Sequence, residues 1–407
     1  MKELRIGIVG GGFMGQEIGG FLAERGYPLL LKARKGSDIQ DFLRITSNIF
    51  SRQRKWGKID DDEYEMRMAH TKGTLEFDSR FANLDIVIES IVENMVAKRE
   101  LFDELEARCS KKTILCSNTS SLSIAEIASV LQNKERFLGI HFFHPMSYFK
   151  FVEVIPQNQT SQEALQVVSS LIRDIDKEAL LVKDSPGFFF NRIMMTSYLE
   201  AFHALESGWY TIEQIDEIFQ KSNFMFGPLR SSDVTGIDVF HQSVSNLSRE
   251  MPERYSVPSI LTHMVKMGRL GKKTRKGFYN YEEDLRVDDE MRTVVELYKA
   301  KRDEDRPAPF SLEQNLLLIT NEAVRCIEEG IVAMEQAERV MKMVPPFVFT
   351  GGLFKYLDTV GLDIVLQKLL RLDRAEGPRF KPAPMIVELV EKGWLGVKTG
   401  RGFFAYN

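Results

Sequence analysis

His141 and Glu153 are the two residues of this chain whose types and setting suggest proton chemistry. The histidine closes the apolar segment Gly139-Ile140-His141, ahead of Phe142-Phe143-His144-Pro145. The carboxylate stands twelve residues on, near the start of a second apolar segment, Phe151-Val152-Glu153-Val154-Ile155. That is the composition of a general base with an orienting partner, in which the carboxylate fixes the imidazole tautomer and stabilises the imidazolium. A histidine among aliphatic and aromatic neighbours is more often a satisfied core residue, so the pair gains weight only from its surroundings. Upstream lies the polar block Ser117-Asn118-Thr119-Ser120-Ser121, followed by a helix-like run from Leu122 to Phe137.

Such side chains need a scaffold, and the chain opens with one. Arg5-Ile6-Gly7-Ile8-Val9 reads as a strand feeding Gly10-Gly11-Gly12-Phe13-Met14-Gly15, after which Ile18, Phe21 and Leu22 recur at helical spacing. This is the Gly-x-Gly-x-x-Gly pattern in its strand-to-helix context. Gly10 serves the tight turn, Gly12 lets the backbone approach a pyrophosphate, Gly15 lets the helix pack on the strand, and the helix N-terminus attracts the anion. Phe13 and Met14 complete the expected cofactor loop. Further strands are expected at Pro28 to Lys32, at Asp85 to Glu89 and at Thr113 to Ser117. The last of these delivers Asn118 and Ser120 at its carboxyl end, where open α/β sheets bind ligands.

A dinucleotide fold usually carries an acid near the end of its second strand, where the carboxylate binds ribose hydroxyls and repels a 2′-phosphate. Here Leu29-Leu30-Leu31-Lys32 runs into Ala33, followed by Arg34 and Lys35. The missing acid and the neighbouring guanidinium predict acceptance of NADP(H), with Arg34 at the phosphate.

The Ser117–Ser121 block, His141-Phe142-Phe143-x-Pro145 and Val152-Glu153-Val154, in this order and spacing, resemble the L-3-hydroxyacyl-CoA dehydrogenase family. The resemblance implies an acyl-CoA substrate and NAD or NADP as cofactor, meeting between the nucleotide domain and the helical domain that follows. It implies His141 as base, Glu153 as its partner, Ser120 as the substrate-contacting hydroxyl and Asn191 as the amide opposite the histidine. Glu93, Lys98 and Asn118 would line the cofactor side. In that family a helical hairpin after the second strand helps hold coenzyme A. The matching region, Ser37 to about Met68, carries Arg52, Arg54, Lys55 and Lys58, which either meet CoA phosphates or form a solvated face.

From Val182 the architecture changes. Asp184-Ser185-Pro186-Gly187-Phe188 reads as a turn, Asn191-Arg192 opens a long helix, and helices follow to the end. This half contains a repeat: Asp233-Val234-Thr235-Gly236-Ile237-Asp238 echoes Asp358-Thr359-Val360-Gly361-Leu362-Asp363, and the stretch from Gly271 to Tyr279 echoes that from Gly396 to Phe404, both 125 residues apart. The expected fold class is an α/β Rossmann-type N-terminal domain with a helical insert (1–184) followed by two tandem all-α domains (185–284 and 310–407). Between them, Glu282 to Pro309 alternates in charge and ends Arg306-Pro307-Ala308-Pro309, a helix-bearing linker assigned to 285–309. Glu313 falls where the first copy has Asn191, so the second copy is expected to be a structural partner and the chain a monomer. The whole looks like the dehydrogenase half of the multifunctional fatty-acid-oxidation enzymes.

Composition bounds the alternatives. At 407 residues, 43% hydrophobic and 28% charged, the chain has the makings of two or three globular domains, and a net charge of −4 argues against nucleic acid or an anionic membrane as partner. Cys109, Cys116 and Cys326 show neither metal-ligand spacing nor a disulfide framework, so no metal is expected. The first residues lead directly into a strand, the last four carry no peroxisomal address, and no apolar run reaches membrane-spanning length, which makes the cytoplasm the expected compartment. Two other readings share these features. One is a nicotinamide enzyme acting on a sugar acid or another 3-hydroxy acid. The other is a non-catalytic nucleotide-binding scaffold, since His144 stands where the resembled family more often has Asn or Ser.

Overall fold

The computed structural model describes residues 3–406 apart from Asn223, Met225, 299–309, Pro345 and Pro346. The Arg306–Pro309 end of the expected linker lies outside the described residues. The chain divides into two compact units, Met1–Ser185 and Pro186–Asn407.

The first unit is built on an eight-stranded sheet of order β3-β2-β1-β4-β5-β6-β7-β8. Its strands are β1 (Ile6–Val9), β2 (Leu29–Lys32), β3 (Thr71–Thr74), β4 (Ile86–Glu89), β5 (Ile114–Ser117), β6 (Phe137–His141), β7 (Phe151–Pro156) and β8 (Glu178–Leu181). Strands β1, β4 and β5 are short apolar runs buried along their length, as central parallel strands covered on both faces must be. All neighbours pair parallel except β6 and β7. The connection from His141 to Phe151 is too short for the crossover that parallel pairing needs, so these two strands run antiparallel. Because β1 pairs with β2 on one side and β4 on the other, the strand order reverses between β1 and β4, which opens a crevice at their carboxyl ends.

Six helices complete this unit: α1 (Phe13–Glu24), α2 (Gly36–Lys55), α3 (Asp61–His70), α4 (Met95–Arg108), α5 (Ile124–Ile127) and α6 (Gln162–Asp174). Asp60, Asn94, Ser123 and Ser161 cap α3, α4, α5 and α6 by accepting a backbone N–H from the first turn. Ile18 and Leu22 of α1, Phe42 and Phe50 of α2, and Val168 and Leu171 of α6 share one apolar cluster with Ile6, Ile8, Leu29, Leu31, Ile88 and Val152 of the strands. The helix-like run from Leu122 to Phe137 is only partly helical. After the single turn of α5 come two 3-10 turns, Ala128–Val130 and Lys134–Arg136. The reason is Glu106 of α4, whose carboxylate accepts the N–H groups of Gln132 (2.7 Å) and Asn133 (2.9 Å) and so takes them out of any helical ladder.

The second unit is helical: α7 (Phe190–Glu206), α8 (Ile212–Gln220), α9 (Pro228–Thr235), α10 (Ile237–Glu250), α11 (Ser259–Lys266), α12 (Asp289–Tyr298), α13 (Leu312–Glu328), α14 (Met334–Met341), α15 (Phe347–Thr350), α16 (Phe354–Val360), α17 (Leu362–Glu376) and α18 (Pro384–Glu391). The internal repeat is written into its hydrogen bonds. Asp233 accepts from Phe278 N (2.8 Å) and Tyr279 N (2.9 Å), and Asp358 accepts from Phe403 N (2.9 Å) and Phe404 N (3.0 Å). Lys273 pairs with Asp238 as Lys398 pairs with Asp363. Gly236 and Gly361 hold φ of 104° and 98° before α10 and α17, a conformation that excludes most side chains.

The two copies meet where α7 packs on α13, both of them buried around most of their circumference. Their polar contacts cross in matched pairs. Arg192 Nε donates to Glu322 Oε1 (2.7 Å) while Gln314 Nε2 donates to Glu200 Oε1 (2.9 Å). Arg254 Nη1 donates to Glu322 (3.0 Å) while Arg379 Nε donates to Glu200 (2.8 Å). In each pair the partners exchange copies, Arg192 answering to Gln314 and Glu200 to Glu322 at a spacing of 122 residues and Arg254 to Arg379 at 125, which is the pattern of a two-fold, self-complementary interface realised within one chain.

Candidate active site

The antiparallel register of β6 and β7 sets His141 directly opposite Glu153. Cross-strand residues in register project to the same face of the sheet, and here the contact is made: His141 Nδ1 lies 2.8 Å from Glu153 Oε2, with both side chains buried. A carboxylate at Nδ1 selects the tautomer in which Nδ1 carries the proton, leaving Nε2 as the atom that can take one. Asn118, at the carboxyl end of β5, accepts from Phe142 N (2.9 Å) and so fixes the backbone where it leaves His141.

Ser120 follows on the same turn and is organised by Glu93. One oxygen of that carboxylate accepts from Thr119 Oγ1 (2.6 Å), Ser120 N (3.0 Å), Ser121 N (3.0 Å) and Ser121 Oγ (3.0 Å). Burial favours the neutral acid, but the Lys98 ammonium and the donors from Thr119, Ser120 and Ser121 outweigh it and hold Glu93 below the ordinary carboxylate range. Lys98 itself is buried. Its ammonium lies 2.5 Å from Glu89 Oε1 and 3.4 Å from Glu93 Oε2. Glu89, at the end of β4, also accepts from Ser117 Oγ (2.6 Å) and Ile91 N (2.7 Å).

Sequence reading passed over Glu89, although an acid ending the apolar run Ile86-Val87-Ile88 was a legible signal. It also passed over Glu17, whose carboxylate receives His144 Nδ1 (2.7 Å) and Met146 N (2.8 Å) and so ties the β6–β7 connection to α1. No local pattern marks that residue. Asn191 belongs to the other unit, in the first turn of α7. Arg52 and Lys58 flank the exposed indole of Trp56 at the tip of the α2–α3 hairpin, while Arg54 pairs with Asp61 (3.1 Å) and covers the ring of Tyr64.

Replacing Lys98 by methionine strands the Glu89 carboxylate without its ion partner in a fully buried position. Breaking such a pair from one side costs roughly 3–5 kcal/mol. Urea unfolding should therefore show a large loss for Lys98→Met and a partial recovery in the double variant with Glu89→Gln. A single variant as stable as the wild type would mean that the pair carries no such weight.

The glycine loop fits a dinucleotide. A Cβ on Gly10 would collide with Ser90 O at 2.2 Å and one on Gly15 with Gly10 O at 1.9 Å, so turn and helix are in close contact. A Cβ on Gly12 would meet nothing within 4 Å: the backbone there faces open space. Helix α1 has no acid in its first turn and no capping side chain, so its leading N–H groups remain for an anion. Phe13 is exposed and stacks edge-on against His144 at 4.7 Å between centroids.

Comparison with known families decides the relationship. Residues 5–185 match the NAD-binding domain of 3-hydroxyacyl-CoA dehydrogenase, and the C-terminal domain of the same family matches twice, at 187–281 and 310–406. The chain belongs to the 3-hydroxyacyl-CoA dehydrogenase family. Its first unit thus corresponds to the family's NAD-binding domain and its second to a duplicated C-terminal domain. Among similar proteins, the fatty acid oxidation complex subunit alpha of Idiomarina loihiensis is 31% identical over 395 residues, which is 96% of this chain and 55% of that one. The chain spans about half the length of the curated relatives it matches. The dehydrogenase part of a multifunctional enzyme from C. elegans is 27% identical, with a TM-score of 0.63 over 94% of this chain and 89% of that one. A 3-hydroxybutyryl-CoA dehydrogenase from Escherichia coli K12 shares the fold, with a TM-score of 0.80 over 97% of this chain and 100% of that one at 21% identity. Among the described residues no helix is long and apolar enough to cross a membrane, and no three His, Cys, Asp or Glu converge as a metal site.

Proposed function

We propose that this dehydrogenase interconverts L-3-hydroxyacyl-CoA and 3-ketoacyl-CoA, with His141 as the proton-transfer residue. The observation that carries the reading is the buried 2.8 Å contact between His141 Nδ1 and Glu153, held by strand register. When bound, the nicotinamide supplies the acceptor for the hydride of C3 in oxidation and its donor in the reverse. In oxidation His141 Nε2 takes the proton of the 3-hydroxyl, and in reduction it returns that proton to the 3-oxygen. Glu153 keeps the imidazole in the required tautomer and offsets its developing charge. Ser120 and Asn191 donate hydrogen bonds to the reacting oxygen or the thioester carbonyl. Gly10, Gly12, Gly15, Phe13 and Met14 hold the pyrophosphate. Glu93 and Asn118 shape the nicotinamide side. Lys98, enclosed between two carboxylates, acts there through Glu93 as a positioning residue.

The remaining assignments belong to the same reading. The helical unit divides into copies 185–284 and 310–407 joined by 285–309, the second copy completes the first, and the chain is a cytoplasmic monomer. The cationic tip of the α2–α3 hairpin is the candidate contact for CoA phosphates. The test is a spectrophotometric survey of 3-ketoacyl-CoA thioesters of graded length with reduced nicotinamide. Oxidation of the nicotinamide dependent on the thioester is expected. Turnover of free 3-hydroxy acids or sugar acids without any on CoA thioesters would replace this reading, and tight nucleotide binding without turnover would favour a scaffold.

A further inference from the structure

The carboxylate missing from the end of β2 has a substitute elsewhere. Strand β2 runs into Ala33, and Arg34 and Lys35 beyond it are exposed. Helix α2 then begins at Gly36 and places Asp38 in its first turn. A Cβ built on Gly11, within the glycine loop, would sit 2.7 Å from Ala33 Cβ, 2.7 Å from Asp38 Cβ and 3.0 Å from Asp38 Oδ2. Atoms that close to one point are neighbours, so the Asp38 carboxylate stands over Gly11 beside the Ala33 methyl. That is the corner from which an acid at the strand end would reach the adenine ribose.

Asp38 is fixed in this place from two sides. Gln16 of α1 donates both to Gly11 O (3.2 Å) and to Asp38 O (2.7 Å), which clamps the first turn of α2 to the glycine loop. On the other side Ile39 packs onto β3 so closely that a Cβ on Gly73 would meet Ile39 Cγ2 at 2.2 Å. An acid in the first turn of a helix often serves as its cap. Here the N-cap is Lys35, with no side-chain hydrogen bond, so capping does not account for the position of Asp38.

We propose that Asp38 is the specificity-determining residue for the nucleotide. Its carboxylate accepts the adenine ribose hydroxyls of NAD(H) and repels the 2′-phosphate of NADP(H). This reverses the expectation drawn from Ala33 and Arg34, which considered only the strand end, and it rests on the nicotinamide reading above. A charge-assisted hydrogen bond gained together with a repelled phosphate gives a discrimination of roughly 10-fold or more.

The experiment is equilibrium titration of the whole chain with NADH and NADPH, followed by nicotinamide fluorescence, in wild type, Asp38→Asn and Asp38→Glu. The wild type should bind NADH at least about 10-fold more tightly than NADPH. Asp38→Asn should weaken NADH, strengthen NADPH and bring the ratio close to one, while Asp38→Glu, which keeps the charge, should retain an NADH preference. A wild type that binds NADPH as well as NADH, or an Asp38→Asn variant with the wild-type ratio, overturns the proposal. Binding of neither nucleotide would be a different failure, since it removes the nicotinamide reading itself and this assignment with it.

Discussion

Replacing His141 by glutamine is expected to lower kcat by roughly 10²–10⁴-fold while leaving nucleotide affinity near the wild-type value. Glutamine keeps a hydrogen-bonding group of similar reach opposite Glu153 but has no nitrogen that can take a proton. Stability should change less than activity, and a thermal melt separates the two. Nucleotide affinity is the internal control, because the glycine loop lies between β1 and α1 and His141 is not among the residues proposed to hold the pyrophosphate. Glu153→Gln should do comparable damage by a different route: the amide can present its N–H to Nδ1, select the wrong tautomer and leave the imidazolium without its counter-charge. A folded His141→Gln variant with wild-type turnover would take the histidine out of the mechanism.

Removing residues 310–407 should have the larger structural effect. Helix α7 is buried around most of its circumference, and α13 covers one of its faces. Without the second copy, Arg192 loses both carboxylates that hold it, Glu322 (2.7 Å) and Glu329 (2.7 Å), and Glu200 loses Gln314 and Arg379. An uncompensated buried charge costs roughly 3–5 kcal/mol, and the uncovered apolar face adds to that. The shortened chain is therefore expected to self-associate or precipitate. If it associates in an ordered way, the crossing pairs specify how: Gln314 corresponds to Arg192 and Glu322 to Glu200, so two first copies would set Arg192 of one molecule against Glu200 of the other, twice. Light scattering on the intact and shortened chains reads this directly. A shortened chain that stays monomeric with the melting behaviour of the intact protein would contradict the reading. So would a stable dimer of the intact chain at micromolar concentration, because the second copy is proposed to cover, within one chain, the face that the first copy would otherwise expose.

Much of the architecture was legible because its signals are local. The glycine loop, the apolar strands and the repeat of Gly236 and Gly361 are patterns in neighbouring residues, and the folded chain carries them as a mostly parallel sheet and a duplicated helical unit. The His141–Glu153 pair was legible in residue type, while its register came from the short β6–β7 connection. What escaped depends on contacts distant in sequence. Glu106 diverts two backbone N–H groups and ends the helical run after Leu122 early. Glu89 and Lys98, nine residues apart, meet only because β4 and α4 fold back on each other. Asp38 lies six residues past the end of β2 and reaches the glycine loop through the placement of α2, which no motif records.

The crossed contacts between α7 and α13 bear on how this chain responds to dilution and to mutation. Two separate subunits sharing such an interface part as they are diluted. Two copies on one chain face each other at a local concentration on the order of millimolar, set by the tether and not by the solution. Symmetry is relaxed as well. In a homodimer every substitution appears twice and any repulsion is doubled, whereas here a change falls on one side alone. Glutamine at position 314, where the first copy has the arginine at 192, fits that freedom. One half could keep the asparagine at 191 while the other drifted to glutamate at 313, with no second site obliged to follow.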